Sequence, residues 1–273
     1  MIRTFQQSDG YLSHYRVWGP DRGRDVIVML HGGISHSGWQ SPLGEAIMAA
    51  DPYMTFLAVD RRGSGANADR GHIPDSERVL IDLAEFIHSL ISDFDRVHLA
   101  GWYFGAQVAT AAASRLTGES LLSSLVMISP GFFINKRYSH FDERYSDLMR
   151  FSVESAEVYI KVPSKPVYFT PLTEWQSFIE DDELKLVKVT AGTVEAWGEL
   201  ARLGEDGLAR LGELPVLAIF GRWDRLVDNA RVRRLINAAV PSARIEEFDT
   251  GHAVQFEQAE RLAQLLTSFA GKI

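Results

Sequence analysis

Short runs of consecutive apolar residues alternate along this chain with longer stretches in which apolar positions recur every three or four residues. Asp25–Leu30, Met54–Val59, Val97–Ala100, Leu121–Ile128, Pro215–Phe220 and Ala243–Phe248 are the short runs. Runs of this length suit strands covered on both faces, as in a parallel sheet. Between them Trp39–Ala50, Ser76–Ser92, the Ala-rich segment reaching about Leu116, the segment from about Asn229 to Ala239, and Glu257–Phe269 read as helices. In Ser76–Ser92, for example, Leu80, Leu83, Phe86, Ile87 and Leu90 fall on one face. Ahead of these, Ile2–Gln7 and Tyr11–Trp18 alternate loosely around Ser8-Asp9-Gly10, a hairpin signal. The succession predicts an α/β fold, a mostly parallel sheet with helices on both faces.

The alternation stops between Pro130 and about Glu213. Residues 131–199, a quarter of the chain, hold 12 aromatic side chains, about two-fifths of its 6 Trp, 8 Tyr and 15 Phe. This predicts an inserted, mostly helical cap over residues 131–213, with the core formed by residues 1–130 and 214–273. The plainer alternative is a larger hydrophobic core in that region.

Composition narrows the function classes. A chain of 273 residues with 46% hydrophobic and 23% charged residues can bury one large α/β core, which argues against disorder. A net charge of -8 argues against nucleic acid or an anionic membrane as the main partner. The absence of cysteine removes disulfides, thiolate metal sites and a cysteine nucleophile. Met1–Gly10 has no apolar core of a signal peptide, and no run approaches the roughly 18 apolar residues of a membrane span. The expectation is a cytoplasmic protein, monomer or homodimer, whose partner is a small apolar molecule.

Four pieces carry candidate chemistry. Val97–Ala100 leads into Gly101-Trp102-Tyr103-Phe104-Gly105, and a helical segment follows. That is the layout of a nucleophile elbow, G-x-S-x-G, with Tyr103 where serine is expected. His31-Gly32-Gly33 ends an apolar run, and a glycine pair there lets a backbone N–H approach a substrate oxygen. Gly221-Arg222-Trp223-Asp224 places an acid just after a strand, and Asp249-Thr250-Gly251-His252 places a histidine after the last one. Nucleophile, acid, histidine is the chain order of the triad in one hydrolase fold.

With these pieces in order, the chain resembles the α/β-hydrolase superfamily over nearly its full length. It is most similar to the monoacylglycerol-lipase-like, serine-aminopeptidase-like branch. His31-Gly32-Gly33-Ile34-Ser35-His36-Ser37 resembles that branch's oxyanion motif, Asp60-Arg61-Arg62-Gly63-Ser64-Gly65 its D-x-R-G-x-G loop, and Trp175–Leu184 its cap sequences. The resemblance implies Gly33 and Phe104 as oxyanion N–H donors, Asp224 as acid and His252 as base. It also implies a cofactor-independent enzyme acting on an ester, thioester or related carbonyl group. Gly32, Trp102, Phe133, Trp175 and Trp223 are expected in the substrate pocket.

Tyr103 departs from that pattern. A phenol with a pKa near 10 costs roughly 4 kcal/mol to ionise at pH 7, unless a base removes its proton during attack. Its oxygen also lies a ring's length beyond that of a serine, past an oxyanion hole built close to the backbone. Three readings follow. Tyr103 is a hydrogen-bonding or acid–base group paired with His252, in a hydrolase or in a lyase, cyclase or decarboxylase. Alternatively it is a covalent nucleophile, or the pocket binds a ligand without turnover. Among lesser signals, Asp228 suits a helix N-cap, and His36 suits an organiser of the glycine loop. Arg61 and Arg62 suit solvated or salt-bridged loop positions. His72, His88, His98 and His140 show no ligand spacing, so no metal is expected.

Overall fold

The computed structural model describes residues 1–135, 157–162 and 164–273. Its strands are β1 (Ile2–Gln6), β2 (Leu12–Trp18), β3 (Gly23–Leu30), β4 (Thr55–Val59), β5 (Phe94–Trp102), β6 (Ser124–Ile128), β7 (Tyr159–Lys161), β8 (Lys188–Thr190), β9 (Val216–Gly221) and β10 (Arg244–Phe248). Eight of them form one sheet in the order β1-β2-β4-β3-β5-β6-β9-β10, while β7 and β8 pair apart from it. The β1–β2 hairpin is antiparallel and β2 is antiparallel to β4. From β4 to β10 every neighbouring pair is parallel, which is the α/β-hydrolase arrangement.

The continuous apolar runs become the central strands because the sheet is covered on both faces. Every residue of β4, β6 and β9 is buried. Alternation sends Val26, Val28 and Leu30 of β3 to one apolar cluster and Ile27 and Met29 to the other. The first cluster includes Leu80, Leu83 and Phe86 of α2 (Ser76–Leu90) and the alanines of α3 (Phe104–Leu116). The second includes Leu43 and Ile47 of α1 (Ser41–Ala50) with Leu262 and Leu266 of the C-terminal helix Ala259–Ala270. Helix α2 starts where the Asp75 carboxylate accepts the Arg78 N–H at 2.7 Å.

Boundaries differ from the sequence expectation where local geometry intervenes. A 3-10 turn, Ser37–Gln40, precedes α1, and the chain breaks at Gln258 between Val254–Glu257 and the C-terminal helix. Strand β5 is longer at both ends than the apolar run Val97–Ala100, because pairing with β3 continues through Phe94 and Gly101. Strands of three residues such as β7 and β8 carry too few positions to show a period.

Between β6 and β9 the chain leaves the main sheet. The described part holds the β7–β8 pair and the helices Thr173–Asp181 and Ala191–Leu208. Helix Ala191–Leu208 packs on α3 so closely that a Cβ on Gly204 would collide with the carbonyl of Gln107. His140 and four of the aromatic residues in the aromatic-rich stretch, Tyr138, Phe141, Tyr145 and Phe151, lie outside the described residues. Among the described residues no helix is long and apolar enough to cross a membrane.

Candidate active site

At the C-terminal edge of the sheet, β5 turns into α3 through one residue. Tyr103 sits at φ 55, ψ -113, a conformation that costs a bulky residue on the order of 1–3 kcal/mol and persists only where neighbours enforce it. The enforcement is visible. The Tyr103 N–H donates to the Ile128 carbonyl at 2.9 Å, and the Tyr103 carbonyl accepts from Ala106 and Gly131 at 3.1 and 3.2 Å. Gly101 and Gly105 flank the turn because a Cβ on either would strike backbone, that of Gly105 itself or of Leu30 on β3. A Cβ on Gly131 would lie 2.8 Å from the Tyr103 ring, so the glycine after β6 leaves room for a phenol.

The acid and histidine arrive from β9 and β10. Asp224 Oδ1 accepts the N–H groups of Leu226 and Val227 at 2.8 and 3.0 Å, and its Oδ2 lies 2.8 Å from His252 Nδ1. Both side chains are 0% exposed. A carboxylate oxygen can only accept here, so Nδ1 carries the proton and Nε2 is an acceptor. That Nε2 is buried and has no hydrogen-bond partner among the described residues. The His252 carbonyl accepts from the Trp102 indole at 3.1 Å and the Ser129 hydroxyl at 2.9 Å, which holds the ring's backbone in place. Glu257 accepts the Gly251 N–H on the same loop, and burial pushes its carboxyl up.

Tyr103, Asp224 and His252 therefore meet. The Tyr103 and His252 rings are 4.8 Å apart at 86°. Trp102 at 5.2 Å and Phe169 at 5.7 Å complete an aromatic box around the imidazole. Gly33 and Phe104 share Trp197 as a neighbour, a Cβ on Gly33 lying 3.9 Å from its ring and the Phe104 ring 5.6 Å from it. Phe104 opens α3, so its N–H falls outside the i→i−4 ladder and points out of the helix end. Gly32 packs on the Trp102 ring.

Three pocket candidates remain. Trp175 stacks on Phe256 at 4.5 Å, and Phe133 lies under the Arg231 guanidinium. Trp223 is 65% exposed and donates its indole N–H to Asp249. Among the described residues none of the three has a ring contact with His252. Asp228 caps the helix Asn229–Ala239 by accepting from Arg231.

Some participants were not visible in the chain. Phe169 and Trp197 come from the segment outside the main sheet and lack any local motif. Asp182 accepts from the Trp39 indole at 2.7 Å and pairs with His36 Nε2 at 3.0 Å, tying that segment to the glycine loop. Burial pushes the Asp182 carboxyl up, but its bonds with His36 and Trp39 outweigh this and hold it below the usual range. Arg62 is salt-bridged to Asp82 and Asp9, as a loop arginine should be. Arg61 is neither solvated nor salt-bridged among the described residues, which corrects the expectation for it. Its guanidinium is turned inward by the tight loop after β4. No group of three His, Asp or Glu among the described residues could hold a metal ion.

Comparison with known proteins agrees with this architecture. A family model described as serine aminopeptidase, S33 (Hydrolase_4) matches residues 21–259. No curated protein matches the chain. Among solved structures, the monoacylglycerol lipase of Paleococcus ferrophilus is 19% identical, with a TM-score of 0.78 over 94% of this chain and 99% of that one. A soluble variant of monoglyceride lipase from Saccharomyces cerevisiae is 14% identical, with a TM-score of 0.81 over 99% and 95%. A thioesterase domain from the curacin biosynthetic pathway is 15% identical, with a TM-score of 0.68 over 98% and 99%. At these identities the likeness is one of fold.

Proposed function

The chain belongs to the serine aminopeptidase (S33) family, and from that membership we propose an enzyme that hydrolyses an activated ester or thioester of an apolar small molecule. His252 is its general base. The observation that carries this reading is the His252–Asp224 pair, which leaves one buried imidazole nitrogen unpartnered beside Tyr103.

Asp224 holds the imidazole in the tautomer that accepts at Nε2, and it stabilises the imidazolium formed when a proton arrives. Because Nε2 accepts no hydrogen bond from the Tyr103 hydroxyl, a phenol-to-imidazole relay is not preformed. This favours water as the attacking group. Nε2 takes a proton from water as its oxygen bonds to the carbonyl carbon, and the carbonyl oxygen becomes an oxyanion facing the Gly33 and Phe104 N–H groups. Collapse expels the alcohol or thiol, which receives the proton from His252. General-base help contributes about 10²–10⁴-fold, and each oxyanion donor about 10²–10³-fold. Without a covalent step this total suits an activated carbonyl, an aryl ester or a thioester, over an amide. The rings of Trp102 and Phe169 against the imidazole, and the Phe104–Trp197 pair beside the glycine loop, support an apolar acyl group. Tyr103 is a wall and hydrogen-bonding group at the elbow.

The replaced elbow side chain also favours a second reading, in which Tyr103 and His252 exchange protons with a substrate in an elimination or cyclisation. One assay separates them. Turnover of an aryl ester is compared in wild type, His252→Ala, Tyr103→Phe and Tyr103→Ser, with mass spectrometry of the protein during turnover. We expect His252→Ala to lose at least about 10²-fold in kcat, and Tyr103→Phe to retain turnover within tenfold. An acyl adduct on Tyr103 would overturn the water route. Absence of ester and thioester turnover in wild type would remove the hydrolase reading altogether.

A further inference from the structure

Arg61 is 6% exposed, and among the described residues it has no carboxylate partner. The adjacent Asp60 carboxylate is engaged elsewhere, by the N–H groups of Ser37 and Ala66 at 2.6 and 3.0 Å. A buried guanidinium without an ion pair is costly unless its hydrogen bonds do something specific. Here Nη2 donates to the Gly32 carbonyl at 2.6 Å and reaches the Gly33 carbonyl at 3.3 Å. The Arg61 backbone N–H donates to His31 Nε2 at 3.1 Å. That fixes the His31 tautomer, so its Nδ1–H donates to the same Gly32 carbonyl at 2.7 Å. Burial keeps the His31 ring neutral at physiological pH, its pKa lying well below the usual value.

Two donors thus grip one carbonyl oxygen from one side. The peptide joining Gly32 to Gly33 is trans. In a trans peptide the carbonyl and the following N–H lie in one plane and point in opposite directions. Holding the Gly32 oxygen therefore aims the Gly33 N–H the other way, out of the loop. The same guanidinium sits 4.9 Å from the centre of the Phe104 ring, against the residue that offers the second donor. Burial lowers the Arg61 pKa to about 9, which leaves it protonated at neutral pH.

We infer that Arg61 is the positioning residue of the oxyanion hole, setting the direction of the Gly33 N–H through the Gly32 carbonyl. It touches no substrate atom. The inference rests on the reading of Gly33 as an oxyanion donor. Arg61 occupies the unspecified position of the D-x-R-G-x-G loop, so the motif itself assigns it no role. Lysine cannot replace it, because a single ammonium on a flexible stem does not hold two carbonyls in a fixed fork.

The test compares wild type, Arg61→Lys and Arg61→Met in two assays, with circular dichroism and melting curves reporting folding. In the first, hydrolysis of a neutral aryl ester should lose about 10–10²-fold in kcat in Arg61→Met, with KM changed less than threefold. Arg61→Lys should recover only part of that loss. In the second, an aryl trifluoromethyl ketone, a tetrahedral hydrate in water, is compared with its methyl ketone, which stays planar. Arg61→Met should weaken the hydrate by about tenfold or more and leave the planar ketone unchanged. Equal weakening of both ketones, or a change confined to KM, would overturn the assignment. If Arg61→Met does not fold, Arg61→Lys carries the same comparison. If wild type hydrolyses no ester, the proposed function fails, yet selective loss of the hydrate still supports Arg61, and equal binding refutes it.

Discussion

Two buried Asp–His pairs sit at different levels of the same sheet, and only one has the makings of a reactive centre. Halfway down the strands, His98 on β5 reaches the Ser124 hydroxyl at 2.8 Å through Nδ1 and Asp25 Oδ1 at 3.1 Å through Nε2. By composition this is a serine, a histidine and an aspartate in hydrogen-bonded series. Arg96 completes it with two bonds to the Asp25 carboxylate, at 2.6 and 2.8 Å. At the C-terminal edge, His252 has Asp224 on one nitrogen and no partner among the described residues on the other. The first histidine spends both nitrogens within the protein and has nothing left to offer a substrate. The second keeps one for a proton, beside a strained elbow and a glycine loop. Residue types alone do not make a triad. An unspent acceptor at the edge where parallel strands end is what separates the two.

The two pairs should differ most at their carboxylates. Asp224→Asn should lower kcat for an aryl ester by at least about 10²-fold, because an amide can hold the wrong imidazole tautomer. Asp25→Asn should leave kcat per folded molecule unchanged and cost about 3 kcal/mol in denaturant unfolding, since Arg96 loses its buried partner. Activity lost in Asp25→Asn at full stability would erase the distinction.

Acid titration sharpens it further. Burial lowers the His98 pKa below 6.5 against the opposing pull of Asp25. Burial also pushes the Asp25 carboxyl up, but bonds from Arg96 and His98 outweigh it and hold it below 3.8. For both groups the unfolded chain binds protons more readily than the folded one. Their stabilisation is present above the unfolded values and is lost as pH falls, from about 6.5 downward for His98 and below about 4 for Asp25. Melting temperature followed against pH should fall less between pH 6.5 and 5 in His98→Gln than in wild type. Equal slopes would mean that His98 does not titrate in this way.

The smallest effect is expected at Trp223, beside Asp224 in sequence and 65% exposed in the fold. Trp223→Ala should change KM for an apolar ester less than twofold and stability by less than about 0.5 kcal/mol. A tenfold rise in KM would place the indole in the pocket wall.

Much of this was legible in the chain. Continuous apolar runs gave the parallel strands, because a strand buried on both faces has no polar positions to spare. Gly101 and Gly105 marked the elbow, since only glycine tolerates backbone at that distance. The order of Tyr103, Asp224 and His252 indicated which residues to bring together. Arg61 was not legible, because its neighbour Arg62 has the same chemistry and a different environment, and only the direction of the loop separates them. Phe169 and Trp197 were hidden for a related reason. Aromatic residues in a segment without periodicity do not reveal which of them reach the site.

Spacing along the chain was enough to give the chain order of the chemistry-bearing loops, the elbow and the identity of the residue within it. Those are properties of spacing along the backbone, set by sterics within a few residues. The tertiary structure alone decided which histidine keeps an unspent nitrogen, which arginine is turned inward and which tryptophan faces solvent. Each of these depends on partners from distant segments, whose hydrogen bonds and burial exist only once the sheet and its neighbouring helices have packed.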